Sequence, residues 1–245
     1  MISHRQILGF ERALQAAALA PAGGIGTLAE KSLHAVLKYY VAENETHHEV
    51  KLGGFVADAL VDGEIVEIQT GSFFYLRKKL EAFLKVCSVT VVYPVAAPRY
   101  VMWQDEQTGE VSSPRKSPKS GTPYDLLAEM VHLLPLLKEP SLSFRVLTLQ
   151  VTDVRLKKKG NRRGERLDRI PQKLLGDVTL RCAHDYLPFL PASLPPRFTS
   201  SDLATVAKLS PAKASTCLRV LRELGTVEQV GKQGKAFLYQ VNPGL

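Results

Sequence analysis

Apolar positions recur at helical spacing over residues 5–19, where Ile7, Leu8, Leu14 and Leu19 follow Ser3, a candidate N-cap. Pro21-Ala-Gly-Gly24 ends that pattern. A second helix is predicted over about 26–41, with Leu28, Leu33, Val36, Leu37 and Tyr40 on one side. The polar run AENETHH follows, and then three short strands. The first is Glu49–Leu52, closed by Gly53-Gly54; the second is Phe55–Leu60, closed by the hairpin signal Asp62-Gly63; the third is Glu64–Gln69. Gly71-Ser72 then opens a predicted helix through about Lys85, with Leu76, Leu80, Phe83 and Leu84 at helical spacing. The β-branched run Val89–Tyr93 predicts a buried strand.

The middle of the chain is patterned less sharply. Tyr100–Asp105 and Phe144–Arg155 read as strands, 112–122 as a Ser/Pro/basic loop, and Thr122-Pro123 as the start of a helix through about Lys138. Residues 155–169, RLKKKGNRRGERLDR, carry eight basic and two acidic side chains, and Gly160 and Gly164 predict a loop or hairpin tip. The Pro-rich stretch 187–197 predicts a linker. Beyond it the pattern gives a helix over 198–208, a turn at Leu209-Ser210, and a second helix over 211–224 stopped by Gly225. Two short strands follow round Gly231-Lys-Gln-Gly-Lys235. The expected division is a domain over 1–186, a linker over 187–197 and a small domain over 198–245.

With 45% hydrophobic and 23% charged residues in 245, the composition is that of a globular chain with a sizeable core. Cys87, Cys182 and Cys217 form neither a disulfide framework nor a zinc spacing, which suggests a reducing setting. No run of 18 apolar residues predicts a membrane span. Arg5, Glu11 and Arg12 interrupt the N-terminal apolar stretch where a secretory signal would carry no charge, so a cytoplasmic protein is expected. The net charge of +8 is unevenly spread: residues 1–110 sum to −3, 111–199 to +8 and 200–245 to +3. An acidic first part suits cation binding and a basic remainder suits a polyanionic partner; solvated charged faces are the alternative.

The candidate chemistry lies between residues 30 and 69. Alternation puts Glu67 and Gln69 on one face of a strand, and a turn at Asp62-Gly63 brings Asp58 near them. Their surroundings, VADAL and EIVEIQT, are otherwise apolar, and a partly buried carboxylate needs a partner or a metal. Glu30 and His34 share a helix face at i and i+4, although a lone helical histidine more often packs or faces solvent. Two carboxylates on neighbouring strands are the hard oxygen ligands that Mg²⁺ accepts while keeping several waters. Trp103 reads as a packing residue. Neither a Walker-type phosphate loop nor a Gly-x-Ser-x-Gly turn is present, which removes the support for a nucleotide cofactor or for acyl transfer.

The order helix, three strands, helix, strand over residues 26–93, with Asp58 on the second strand and Glu67-Ile68-Gln69 on the third, resembles the core of the PD-(D/E)XK nuclease superfamily. The superfamily's usual lysine is replaced by Gln69, as it is in some of its restriction endonucleases. The resemblance implies a restriction-endonuclease-like α/β fold, a mixed sheet flanked by helices. It implies an Mg²⁺- or Mn²⁺-dependent deoxyribonuclease in which Asp58 and Glu67, with Glu30, hold the metal and Gln69 joins them in the catalytic set. It further implies that Lys51, Lys78 or Lys79 supplies the missing cation, and that the protein works as a homodimer. Residues 198–242 resemble a winged helix-turn-helix module, here a C-terminal winged helix; FTSSDLATVAKLSPAKASTCLRVLRELG and VEQVGKQGKAFLYQV carry the likeness. That implies DNA contact from Ser210, Lys213, Ser215, Thr216, Arg219 and Arg222 on the second helix and from Lys232 and Lys235 on the wing. Lys157, Lys158, Lys159, Arg162 and Arg163 in the basic loop are further candidates for the DNA backbone. The whole is also similar to uncharacterised bacterial proteins of this architecture. Two other functions fit the same residues: an inactive nuclease-like DNA-binding regulator, and an RNA-directed nuclease or binder.

Overall fold

A computed structural model describes residues 2–20, 32–158 and 161–245, with the backbone alone at 158 and 161–163. The fold is mixed α/β, a large mixed sheet flanked by helices. Helix α1 (His4–Leu19) begins at the expected Ser3, which exchanges hydrogen bonds with Gln6 in a capping box. Helix α2 (Ser32–Val41) leads into the strands β1 (His48–Leu52), β2 (Phe55–Val61) and β3 (Glu64–Ile68), joined as antiparallel hairpins. Asp62 and Gly63 both take positive φ, 50° and 80°, the backbone that a two-residue turn between right-twisted strands requires. A 3₁₀ turn at Phe73–Tyr75 and helix α3 (Arg77–Phe83) precede β4 (Val89–Asp105). Then come the short β5 (Arg115–Lys116), α4 (Tyr124–Met130), β6 (Leu142–Lys158) and β7 (Asn161–Leu180). The sheet order is β1-β2-β3-β4-β6-β7, with β5 on β4.

Several elements differ from expectation. One continuous strand, β4, replaces two, and the helix expected over 122–138 gives way at Val131 to a 3₁₀ segment that contains Pro135. Strand β7, 20 residues long, begins inside the 155–169 stretch expected to be a loop or hairpin tip; β6 and β7 run further into it than expected. Its charged residues hide the strand pattern because they pair across the hairpin. Arg145 bonds Asp177, Gln150 bonds Gln172 and Asp153 bonds Arg169, a progression that makes β6 and β7 antiparallel. In place of a linker, 183–189 form a 3₁₀ segment with Tyr186 and Phe189 buried.

The chain forms two compact units. The first holds residues up to Thr70, Thr90–Thr122 and Arg145–Val178; the second holds Gly71–Val89, Pro123–Phe144 and Thr179–Leu245. In the first, α1 and α2 lay Phe10, Ala13, Leu33, Val36 and Leu37 on a sheet face built from Ala59, Val66, Ile68, Val92, Leu147, Leu149, Val151 and Leu174. In the second, the Glu129 carboxylate accepts the Phe73 N–H at 3.0 Å and the Phe73 ring stacks on Phe144. Those bonds place the 71–89 segment with α4. The same unit contains α5 (Ser200–Val206), α6 (Pro211–Glu223) and the hairpin β8 (Val227–Gln233) and β9 (Ala236–Val241). Residues 198–245 thus share a compact unit with earlier parts of the chain. Among the described residues no helix is long and apolar enough to cross a membrane.

Two clamps fix α2 on the sheet. At its first described turn, Asp168 of β7 accepts the Ser32 N–H at 3.1 Å and the Ser32 hydroxyl. At the other end, Tyr40 Oη donates to Asp177 at 2.6 Å. Asp177 also receives two Arg145 hydrogen bonds, at 2.8 and 2.6 Å, and one from Gln6. Burial would raise the Asp177 carboxyl, but the bonds from Arg145, Tyr40 and Gln6 outweigh it and hold the carboxyl below its ordinary range. Burial and Asp177 push the Tyr40 phenol well up.

Trp103 does pack, and Gly164 makes room for it. Gly164 has φ 59°, and a Cβ there would come within 2.5 Å of both the Trp103 ring and the Leu156 carbonyl oxygen. Gly164→Ala should therefore cost about 2–4 kcal/mol from backbone strain and overpacking. Gly231→Ala, at an open site, should change stability by no more than about 0.5 kcal/mol. Urea denaturation compares the two. Asp177→Asn should cost about 3 kcal/mol by leaving the half-buried Arg145 guanidinium without its carboxylate, read in the same way.

Candidate functional site

The β2–β3 ladder pairs Val61 with Glu64, Leu60 with Ile65 and Ala59 with Val66. One step further Asp58 stands opposite Glu67, and there side chains take over the bonding. The Asp58 N–H donates to Glu67 Oε1 at 3.1 Å, and the Ile68 N–H donates to Asp58 Oδ2 at 2.7 Å. Each carboxylate thus bonds the backbone of the opposite strand. Gln69 N–H turns to β4 and donates to the Val92 carbonyl at 2.9 Å. Glu67 is only 3% exposed, so two like-charged groups lie opposite each other in a place with little water.

A third acid extends the row. Glu49 lies between the pairs His48–Ala59 and Val50–Ala57 of β1 and β2, which sets it beside Asp58. Its φ of 53° is left-handed, a conformation costing a non-glycine residue about 1 kcal/mol. Helix α2 supplies the opposite charge. Lys38 Nζ lies 2.8 Å from Glu49 Oε1, and His34, one turn earlier, has Nε2 3.4 Å from Asp58 Oδ2. The Lys38 hydrogen bond holds the Glu49 carboxyl below its usual value, while burial and the Asp58 charge work against it. Lys38 is buried, 6% exposed, which is rare for a lysine without a fixed role.

Asp58 and Glu67 are brought together, with Gln69 two residues past Glu67 and half-buried. His34, read as packing or facing solvent, touches Asp58 instead. Glu30 lies outside the described residues. Lys51 is exposed on β1 opposite Val56, one same-face position beyond Glu49. Lys78 and Lys79 belong to the second unit, where Lys79 lies over the Phe83 ring. Lys38 was missed, although it is the lone formal charge in SLHAVLKYYV and stands four residues after His34. Among the described residues no group of three or more His, Cys, Asp or Glu is arranged to hold a metal.

The basic candidates divide differently. Lys157 is exposed at the end of β6; Lys159 and the side chains of Lys158, Arg162 and Arg163 lie outside the described residues. In the second unit Ser210 caps α6, and Pro211 follows at its first position. Lys213, expected to face DNA, pairs with Asp125 on α4. The Thr216 hydroxyl donates to the Ala212 carbonyl of its own helix. Ser215, Arg219 and Arg222 remain on an exposed strip of α6. Lys232 lies over the Phe237 ring, and Lys235 is exposed at the hairpin tip beside Gly234.

Residues 31–181 match the family model described as a domain of unknown function, DUF8091, so the chain belongs to that family. The match contains the Lys38–Glu49–Asp58–Glu67 cluster and ends before α5, α6 and their hairpin. An uncharacterized protein of Treponema pallidum (strain Nichols) is 31% identical over 224 residues, covering 89% of this chain and 88% of its own length. No solved structure matches.

Lys38→Met should raise the Glu49 carboxyl toward its ordinary 4.5, as read by side-chain NMR titration. The sign for stability follows from the lowered native value. The Lys38–Glu49 contribution is present above the unfolded carboxyl's range and is lost as pH falls through the folded value. The variant's stability should then fall less steeply than the wild type's on acidification below about pH 4.5.

Proposed function

We propose that this protein is a metal-dependent endonuclease that hydrolyses DNA phosphodiester bonds, with a core of the PD-(D/E)XK kind and a C-terminal winged helix that binds DNA. The observation that carries the reading is the opposed pair Asp58 and Glu67, one of them buried, where the β2–β3 ladder gives way to side-chain bonding. Their donor set fits Mg²⁺ or Mn²⁺, because such ions take one or two protein carboxylates and complete their shell with water. Asp58 and Glu67 would hold the ion, which supplies Lewis acidity toward a phosphate oxygen and a more acidic bound water.

The chain's own groups supply the rest. Lys38 is the cation of the cluster and takes the place of the lysine that Gln69 replaces; Lys51, Lys78 and Lys79 are less favoured because Lys38 already lies among the acids. Gln69 orients a water through its amide but carries no charge. His34, beside Asp58, is positioned to carry a proton. For binding, helix, turn, helix and hairpin offer Ser215, Arg219 and Arg222 on one exposed strip and Lys232 and Lys235 on the hairpin. Homodimers that cut both strands fit this reading, as does a cytoplasmic site of action.

A second reading, a DNA-binding regulator without cleavage, is favoured by two observations. Gln69 stands at the lysine position, and Asp58 and Glu67 already accept backbone N–H groups. The test is supercoiled plasmid with Mg²⁺ or Mn²⁺, beside RNA of matched sequence. Wild-type protein should nick the plasmid; Asp58→Ala and Glu67→Ala should each lower the rate by on the order of 100-fold or more. Lys38→Met should lower it comparably, and Gln69→Lys in that background should restore part of it. Retarded plasmid without cutting would favour the regulator, and preference for RNA would move the substrate class.

A further inference from the structure

In the second unit, the segment that follows β3 turns two large rings outward. The 3₁₀ turn Phe73–Tyr75 runs directly into α3 through Leu76, whose backbone is helical. Phe73, Leu76, Leu80 and Phe83 are buried and form the inner stripe. The other side carries Phe74, 65% exposed, and Tyr75, 84% exposed. Exposed Lys78 follows Phe74 by one helical turn, and exposed Lys85 lies just past the end of α3. The Phe74 and Tyr75 rings meet edge to face at 5.2 Å, and the His132 ring meets Phe74 in the same way at 5.9 Å.

The backbone beneath these rings is pinned to the core. Glu129 accepts the Phe73 N–H at 3.0 Å, the Ser72 hydroxyl accepts the Phe74 N–H at 3.3 Å, and the Phe73 carbonyl accepts the Leu76 N–H at 3.1 Å. A fixed turn therefore holds two adjacent aromatic side chains in water, whereas isolated exposed apolar groups are ordinary. The charge around them is positive. Residues 72–85 carry four basic side chains and one acid, Glu81, which already accepts Arg77 Nε at 2.8 Å. Exposed rings interleaved with exposed lysines fit one kind of partner best. Unpaired nucleobases offer flat π faces that stack on aromatic side chains whatever the sequence, and their phosphates suit the lysines. A protein partner would suit the rings, but protein interfaces are depleted of lysine. A duplex keeps its base faces stacked on one another and has none to offer.

We propose that Phe74, Tyr75 and Lys78 form a stacking platform for an unpaired stretch of DNA. Bases stack on the Tyr75 and Phe74 rings, and Lys78 meets a phosphate of the same strand. That the strand is DNA and not RNA rests on the endonuclease reading above; the stacking itself does not depend on whether Asp58 and Glu67 cleave.

Fluorescence anisotropy of a labelled oligothymidine strand with the full-length protein, in EDTA so that nothing is cut, tests the platform. Wild type should bind the strand, and Tyr75→Ala should bind it about 10-fold more weakly, with Tyr75→Trp close to wild type. Val111→Ala, which truncates an exposed apolar side chain in the first unit, should change nothing. The unfolding midpoint of Tyr75→Ala should match the wild type's, because the ring is in water. A strand with abasic sites in place of its bases should bind the wild type about as weakly as Tyr75→Ala binds the intact one. Lys78→Gln should reduce the slope of log affinity against log salt by about 0.7. Failure of the wild type to bind, equal binding by Tyr75→Ala, or equal binding of the abasic strand overturns the proposal. Tighter, Tyr75-dependent binding of RNA of matched sequence overturns the assignment to DNA. Sedimentation that shifts in Tyr75→Ala while strand binding holds would assign the rings to a second copy of this chain, and the platform would fall. An uncut plasmid alongside Tyr75-dependent strand binding would remove the nuclease reading and leave the platform standing.

Discussion

Two carboxylates cannot share a poorly hydrated strand end without compensation, and the first unit is arranged around that constraint. Asp58 and Glu67 each accept an N–H from the opposing strand, which satisfies backbone donors just where the ladder ends. The negative charge that remains is faced by α2, through His34 against Asp58 and Lys38 against the adjoining Glu49. Remove the Lys38 ammonium and three acids would stand together with water largely excluded from Glu67.

That helix reaches its place through long-range hydrogen bonds. Asp168 and Asp177 lie nine residues apart on β7 and grip opposite ends of α2. Arg145, the charge partner of Asp177, also lies over the Tyr40 ring. The β6–β7 hairpin therefore does two kinds of work. Asp168 and Asp177 order the helix that faces the acidic row, and Arg169, next to Asp168, neutralises the buried Asp153. The acidic row and the Asp153–Arg169 pair both fall within the DUF8091 match, whereas α5, α6 and the β8–β9 hairpin fall outside it. The family match thus covers the sheet and α2 and stops short of the C-terminal elements.

Much of the local structure was legible before any tertiary information. The Ser3 N-cap, the Asp62-Gly63 turn and the start of α6 after Leu209-Ser210 are all short-range arrangements. Their bonds close within a few residues, so the local sequence is enough to specify them. The pairing of Asp58 with Glu67 was legible for the same reason, since a two-residue turn sets its register. The site residues that were missed are those whose partners lie far away in the chain or on another element. Lys38 reads as one charge on a helix until β1 brings Glu49 beneath it.

Strand β7 shows the limit most clearly. In sequence, RRGERLDR is a basic run with a glycine in it, and period-two alternation is masked by charge on both faces. In the fold, Asp153 and Arg169 neutralise each other across the hairpin, Asp168 turns to Ser32, and Gly164 yields its side-chain space to Trp103. The same holds for the boundary expected near 187, where Tyr186 and Phe189 are core residues. Sequence alone determined the helices, turns and hairpins whose stabilising bonds are local, together with the carboxylate pair. Only the tertiary structure decided which charges neutralise one another, because charge compensation depends on distance in space and on exclusion of water.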